Sequence, residues 1–100
     1  IVLFEIKSPT KKLKEICSKL DSNYSMQVLD GEQVIYRKIN DSYDLEVSGL
    51  NNNRKVMNAT IYLWQLKPKQ KVIETVNNIT TFESLETSLT YLVEKYQSLN

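Results

Sequence analysis

The chain has 100 residues, of which 41% are hydrophobic and 25% charged, with a net charge of +1 and a single cysteine. That length buries a core without help from a disulfide or metal. The near-neutral charge argues against a protein built mainly to grip nucleic acid, and no apolar run approaches the roughly 20 residues of a bilayer-crossing helix.

In chain order, Ile1 to Lys7 reads as a strand, rich in β-branched and aromatic residues. Ser8 then offers an N-cap and Pro9 suits the first helical position. Leu13, Ile16, Cys17 and Leu20 follow at helical spacing and form one apolar stripe. Asp21-Ser22-Asn23 ends that helix. Tyr24, Met26 and Val28 alternate with polar residues, as a half-buried strand does. Asp30-Gly31 follows, the strongest short signal for a hairpin, because both turn residues need positive φ.

Val34 to Ile39 is the return strand, and Asn40-Asp41-Ser42 makes the next turn. Tyr43, Leu45, Val47 and Gly49 then alternate against Asp44, Glu46 and Ser48, which predicts one wet face. After the loop Asn51-Asn52-Asn53, a long strand runs from Val56 to Leu66. It carries Ala59, Ile61 and Leu63 on one face and Thr60, Tyr62 and Trp64 on the other. Lys67-Pro68-Lys69 breaks it, and Val72 to Val76 is the last strand. Thr80-Thr81-Phe82-Glu83 fits a capping box. Phe82, Leu85, Leu89, Leu92, Val93, Tyr96 and Leu99 mark an amphipathic terminal helix. The expected fold is α+β: an antiparallel sheet of about five strands with two helices packed on one face, in the order β-α-β-β-β-β-β-α. The chain reads as one domain over residues 1–100. Its start at Ile1 suggests an excised piece of a longer protein.

The chemistry-bearing residues are few. Histidine is absent, which removes the commonest general base, the usual partner of Ser and Cys nucleophiles, and the commonest zinc ligand. The two glycines cannot build a phosphate-cradling loop. Cys17 reads as a core residue because it lies on the apolar stripe. Asp44 and Glu46 share a strand face and resemble a carboxylate pair, but a solvated face is the plainer reading. No catalytic residue, metal site or cofactor is therefore expected. Lone Cys17 favours a reducing compartment. It outweighs the N-x-S/T matches at Asn23, Asn40, Asn58 and Asn78, and the expected address is intracellular: cytoplasmic, nuclear or membrane-associated.

Charge is unevenly spread. Lys11, Lys12 and Lys14 sit near the start, and Arg54, Lys55, Lys67, Lys69 and Lys71 form a second stretch without an acid inside it. These eight residues are the candidate surface for a partner or an anionic lipid. Arg37 beside Tyr36, and Trp64 just before Lys67, suggest a further use in stacking on RNA.

Four phrases, "VLFEIKSP", "KKLKEICSKLDSNY", "ATIYLWQLKPKQKVIETVNNI" and "FESLETSLTYLVEKYQSL", resemble the strand, first helix, closing strand pair and final helix of the kinase-associated C-terminal regulatory domain, the kinase-associated-1 family. The likeness is greatest to the branch found in checkpoint and AMP-activated-like Ser/Thr kinases. It implies a non-catalytic domain that restrains the kinase domain of its own chain or docks regulatory subunits. It also implies, as an alternative, binding to acidic phospholipids. The near-neutral charge departs from the strongly basic lipid-binding members and shifts weight to protein contact. Nucleic-acid binding is the remaining alternative and the least expected partner.

Overall fold

The structure, a computed structural model, describes residues 8–99; the strand expected over Ile1 to Lys7 lies outside the described residues. The elements are α1 (Lys11–Lys19), β1 (Ser25–Leu29), β2 (Glu32–Lys38), β3 (Tyr43–Ser48), β4 (Ala59–Gln65), β5 (Lys71–Ile79) and α2 (Phe82–Tyr96). The five strands form one antiparallel meander in the order β1-β2-β3-β4-β5. Both helices lie on the same side of it, α1 over β1 and β2, α2 over β4 and β5. The expected α+β architecture is present.

Side-chain alternation sets the two faces. Leu45 and Val47 of β3 and Ile61 and Leu63 of β4 are at most 1% exposed and point toward the helices. Leu13 and Ile16 of α1 meet them, with Cys17 and Leu20 packed at the margin. Burial pushes the Cys17 thiol above its usual value, as a core-side position should. From α2 come Leu85, Leu89, Leu92, Val93 and Tyr96. Leu99 is the exception on that stripe, at 48% exposed, because α2 ends before it.

Local chemistry explains the turns. Asp30 and Gly31 take φ values of 51° and 78°, the twist that a two-residue hairpin needs. Asn40 Oδ1 accepts from the backbone N–H groups of Ser42 and Tyr43, and its Nδ2 donates to the carbonyl of Tyr96. The β2–β3 turn is thereby tied to the last turn of α2, and this asparagine nitrogen is already spent. At the far end, the loop after β3 braces α1. Thr10 N–H donates to Asn51 Oδ1 at 2.8 Å, and Lys12 Nζ donates to Asn52 Oδ1 at 2.8 Å. Near the end of β5, Asn78 sits at φ 58°, within the register shift between the Ala59–Ile79 and Ile61–Val76 pairs. Asparagine tolerates that left-handed bulge better than most residues.

Several expectations need correction. The first helix is capped by Thr10, not Ser8, and begins at Lys11 rather than at Pro9. Met26 and Val28 are 39% and 43% exposed, since β1 is an edge strand of the described sheet. The long strand starts at Ala59, leaving Val56 68% exposed in the loop. The last strand extends to Ile79, beyond Val76. The Thr80 capping box is displaced by one residue: Thr81 is the N-cap, and its hydroxyl accepts from Ser84 N–H at 3.1 Å. Thr81→Ala is therefore expected to lower unfolding free energy by about 1 kcal/mol. Thr80→Ala should stay within about 0.5 kcal/mol of the parent. Urea denaturation of both variants checks the assignment, and equal losses would contradict it.

Candidate functional site

Two concave regions and two basic clusters are candidate recognition surfaces among the described residues. The first concavity, about 890 Å³, runs between α1 and α2. Arg37 lies at its base, with its guanidinium 5.1 Å from the Tyr24 ring centre and Nη1 3.6 Å from Asp21 Oδ2. Adjacency in sequence suggests that Arg37 and Tyr36 share a surface. The strand period instead sends the two to opposite faces, Arg37 opposite Leu45 and Tyr36 opposite Glu46. Arg37 Nε is buried without a hydrogen-bond partner. The rim of this concavity mixes Lys19 with Glu86 and Glu94, so neither sign of charge dominates there.

The second concavity, about 530 Å³, lies on the helix-free face. Its four central residues form a crossed pattern. Tyr36 stands across the strands from Glu46, and Asp44 across from Trp64. The hydrogen bonds run along the diagonals. Tyr36 O–H donates to Asp44 Oδ2 at 2.9 Å, and Trp64 Nε1–H donates to Glu46 Oε1 at 3.2 Å. Gln27, Leu29, Asp30 and Gln70 complete the lining. Val34 is fully buried on this same face, apart from the main core. The expectation of a wet face for Asp44, Glu46 and Ser48 is corrected: Asp44 is only 9% exposed, because two large rings flank it. Ser48 is also occupied, donating to the Glu32 carboxylate.

The electrostatics of this pocket are one-sided. Burial pushes the Asp44 carboxyl up, with the Tyr36 hydroxyl pulling it partly back. Burial also raises Glu46; Trp64 N–H opposes that, and Glu32, Asp30 and Asp44 add to it. Tyr36 is pushed up to about 12, by burial first and then by its bond to the Asp44 carboxylate. Lys38 is Asp44's cross-strand neighbour, yet its ammonium pairs with Asp41 at 3.1 Å instead.

A carboxyl whose pKa is raised on folding holds its proton more tightly in the folded chain. Its contribution to stability is then lost as pH rises from the unfolded value through the folded one. Glu46→Gln removes this ionisation, so its stability relative to the parent should improve as pH rises from about 4, the ordinary carboxyl value, through the raised folded value. Thermal unfolding across that range measures it. A difference that stays flat with pH would show that Glu46 feels no such penalty.

The eight basic candidates fall into two groups. Lys12 Nζ donates to the Arg54 carbonyl at 2.9 Å, which joins the Lys11, Lys12 and Lys14 turn to the Arg54–Lys55 loop. Lys11 is in part engaged by Glu15 at 3.8 Å. Lys67, Lys69 and Lys71 surround the β4–β5 turn, at the end where Tyr43 pairs with Gln65. The length of β3, roughly 20 Å at the rise of a strand, separates the groups. Sequence order suggests that Arg54, Lys55 and the later lysines form one stretch; the strand between them makes that impossible. Tyr62 and Trp64 do share the helix-free face, but a stacking RNA would bring its phosphates toward Asp30, Glu32, Asp44 and Glu46, which opposes binding. Among the described residues no group of acidic, Cys or His side chains could hold a metal ion, and no helix is long and apolar enough to cross a membrane. No family model, curated protein or solved structure matches this chain.

Proposed function

We propose that this chain is a non-catalytic regulatory domain that acts by contact with a protein, the kinase domain of a Ser/Thr kinase in the same polypeptide. Docked regulatory subunits would use the same surfaces. The observation that carries this reading is the layering. Both helices cover one face of the meander, while the other keeps Tyr36, Tyr62 and Trp64 half-exposed beside carboxylates. Aromatic side chains at a surface, with polar groups around them, are the usual makings of a protein contact. The reading rests also on the sequence resemblance to kinase-associated-1 domains, and a chain without histidine fits a role in contact more readily than one in acid–base chemistry. On this reading a kinase domain is expected in the same polypeptide. Added in trans, this domain should bind that kinase domain and lower its activity. Unchanged activity together with no detectable binding would overturn the reading.

A second reading has one observation in its favour. The Lys12–Arg54 contact gathers Lys11, Lys12, Lys14, Arg54 and Lys55 at one end of the molecule. At about 1 kcal/mol for each well-placed basic residue, such a patch binds an anionic membrane surface weakly. Co-sedimentation with phosphatidylserine vesicles, at low and high salt, tests it; binding indifferent to salt, or none, would reject it.

A further inference from the structure

We infer that the pocket on the helix-free face receives an arginine side chain from an extended segment of a protein partner. This deepens the reading of the chain as a protein-binding domain and rests on it. Three observations converge. The first is shape: a concavity of about 530 Å³ lined by Tyr36, Asp44, Glu46 and Trp64 is roomy enough for one long side chain. The second is uncompensated charge. Each carboxylate accepts from a neutral donor, Asp44 from Tyr36 and Glu46 from Trp64. Among the described residues neither has an ion-pair partner, because the ion pairs fall elsewhere. The third is the wall chemistry. The rings of Tyr36 and Trp64 stand opposite the two acids across the strands.

These features favour guanidinium over ammonium. A guanidinium is weakly hydrated, stacks on aromatic faces, and offers a planar fork of N–H donors that fits carboxylate oxygens. Asp44, 9% exposed, has its Oδ2 engaged by Tyr36, and among the described residues no donor reaches its other oxygen. Glu46 likewise keeps one oxygen, Oε2, unengaged. Lys38 lies across from Asp44, and Asp41 holds its ammonium away. Among the described residues an incoming cation therefore displaces no existing ion pair.

Trp64 is the only tryptophan of the chain and lines the pocket, so its fluorescence reports occupancy directly. The probe is a capped peptide of glycine and serine with one central arginine, set against the same peptide carrying citrulline, which keeps the shape and loses the charge. The arginine peptide should give a saturable change in fluorescence that weakens with salt, and the citrulline peptide should bind at least about tenfold more weakly. Asp44→Asn and Glu46→Gln should each weaken the arginine peptide by roughly tenfold. Glu46 is the more exposed of the two, so E46Q serves if D44N disturbs folding, as far-UV circular dichroism will show. Equal binding of the two peptides, absence of a saturable change, or undiminished affinity in folded E46Q would each overturn the inference. A kinase domain that binds parent and E46Q alike leaves the regulatory reading standing and removes this one. An arginine peptide that binds while the kinase domain does not would sustain the arginine pocket and remove the regulatory reading.

Discussion

Leu89→Ala is expected to lower the free energy of unfolding by about 2–5 kcal/mol. Leu89 is 1% exposed and lies in the middle of α2, the helix that closes the core over β4 and β5. Its neighbours on the stripe, Leu85 and Leu92, are equally buried. The sheet beneath is hydrogen-bonded from strand to strand across all five strands, so the space left by a shortened side chain cannot collapse easily. The lost transfer energy and the cavity then add together. A domain this small holds only about 5–15 kcal/mol in total, so the variant sits near the threshold of folding. Urea denaturation should show a lower midpoint with an unchanged slope. Leu99→Ala, on the same stripe but 48% exposed, should be close to neutral. A small loss for Leu89 comparable to that for Leu99 would mean that α2 does not seal the core as described.

Gly49→Ala is expected to cost roughly 2 kcal/mol or more, through two separate effects. The residue stands at φ 87°, and a Cβ there would lie 2.8 Å from the carbonyl oxygen of Asn58. Backbone cannot yield as a flexible side chain does. Relief would require shifting the segment leading into β4, or the bond from Gly49 N–H to Glu32 Oε2. The same loop carries Asn51 and Asn52, which brace α1, so the strain propagates to the helix start. Gly31 supplies the internal comparison: its φ is 78°, but no atom lies within 4 Å of a Cβ built there. Gly31→Ala should therefore incur only the conformational cost, about 1 kcal/mol. Similar losses at both positions in chemical denaturation would show that the close approach to Asn58 adds nothing.

Much of the fold is legible in the sequence because its signals are local. Asp30-Gly31 specifies a turn by backbone sterics, and the Leu85–Leu89–Leu92–Tyr96 spacing specifies a helix face whatever surrounds it. The rest is decided by neighbours distant in sequence. Alternation in Met26 and Val28 marks a strand, but says nothing of whether another element covers it. Ser8 and Thr10 are both competent caps, and the choice between them is settled by Asn51, which binds the Thr10 N–H. Thr80 and Thr81 are likewise both competent, and only Thr81 reaches Ser84 N–H. The pocket is visible in the sequence only as fragments. Alternation places Asp44 and Glu46 on one strand face, and Tyr36 and Trp64 stand out as aromatics near basic residues. Their meeting depends on the β2–β3 and β3–β4 registers, which no local pattern encodes. The strand period separates Arg37 from Tyr36, and the length of β4 separates Arg54 from Lys67.

The meander has a consequence for how the chain is made. Every described strand finds its partner next to it in sequence, so hairpins can pair one after another as synthesis proceeds, with little loop entropy to overcome. The cover for β4 and β5 comes last, because α2 is the last of the described elements to leave the ribosome. Until then Ile61 and Leu63 face water on the growing chain. A polypeptide ending at Thr81 is expected to retain sheet-like circular dichroism while binding a dye specific for exposed apolar surface, and adding Phe82 to Tyr96 should abolish that binding. Chaperone demand should accordingly peak in the short interval between the completion of β5 and the docking of α2.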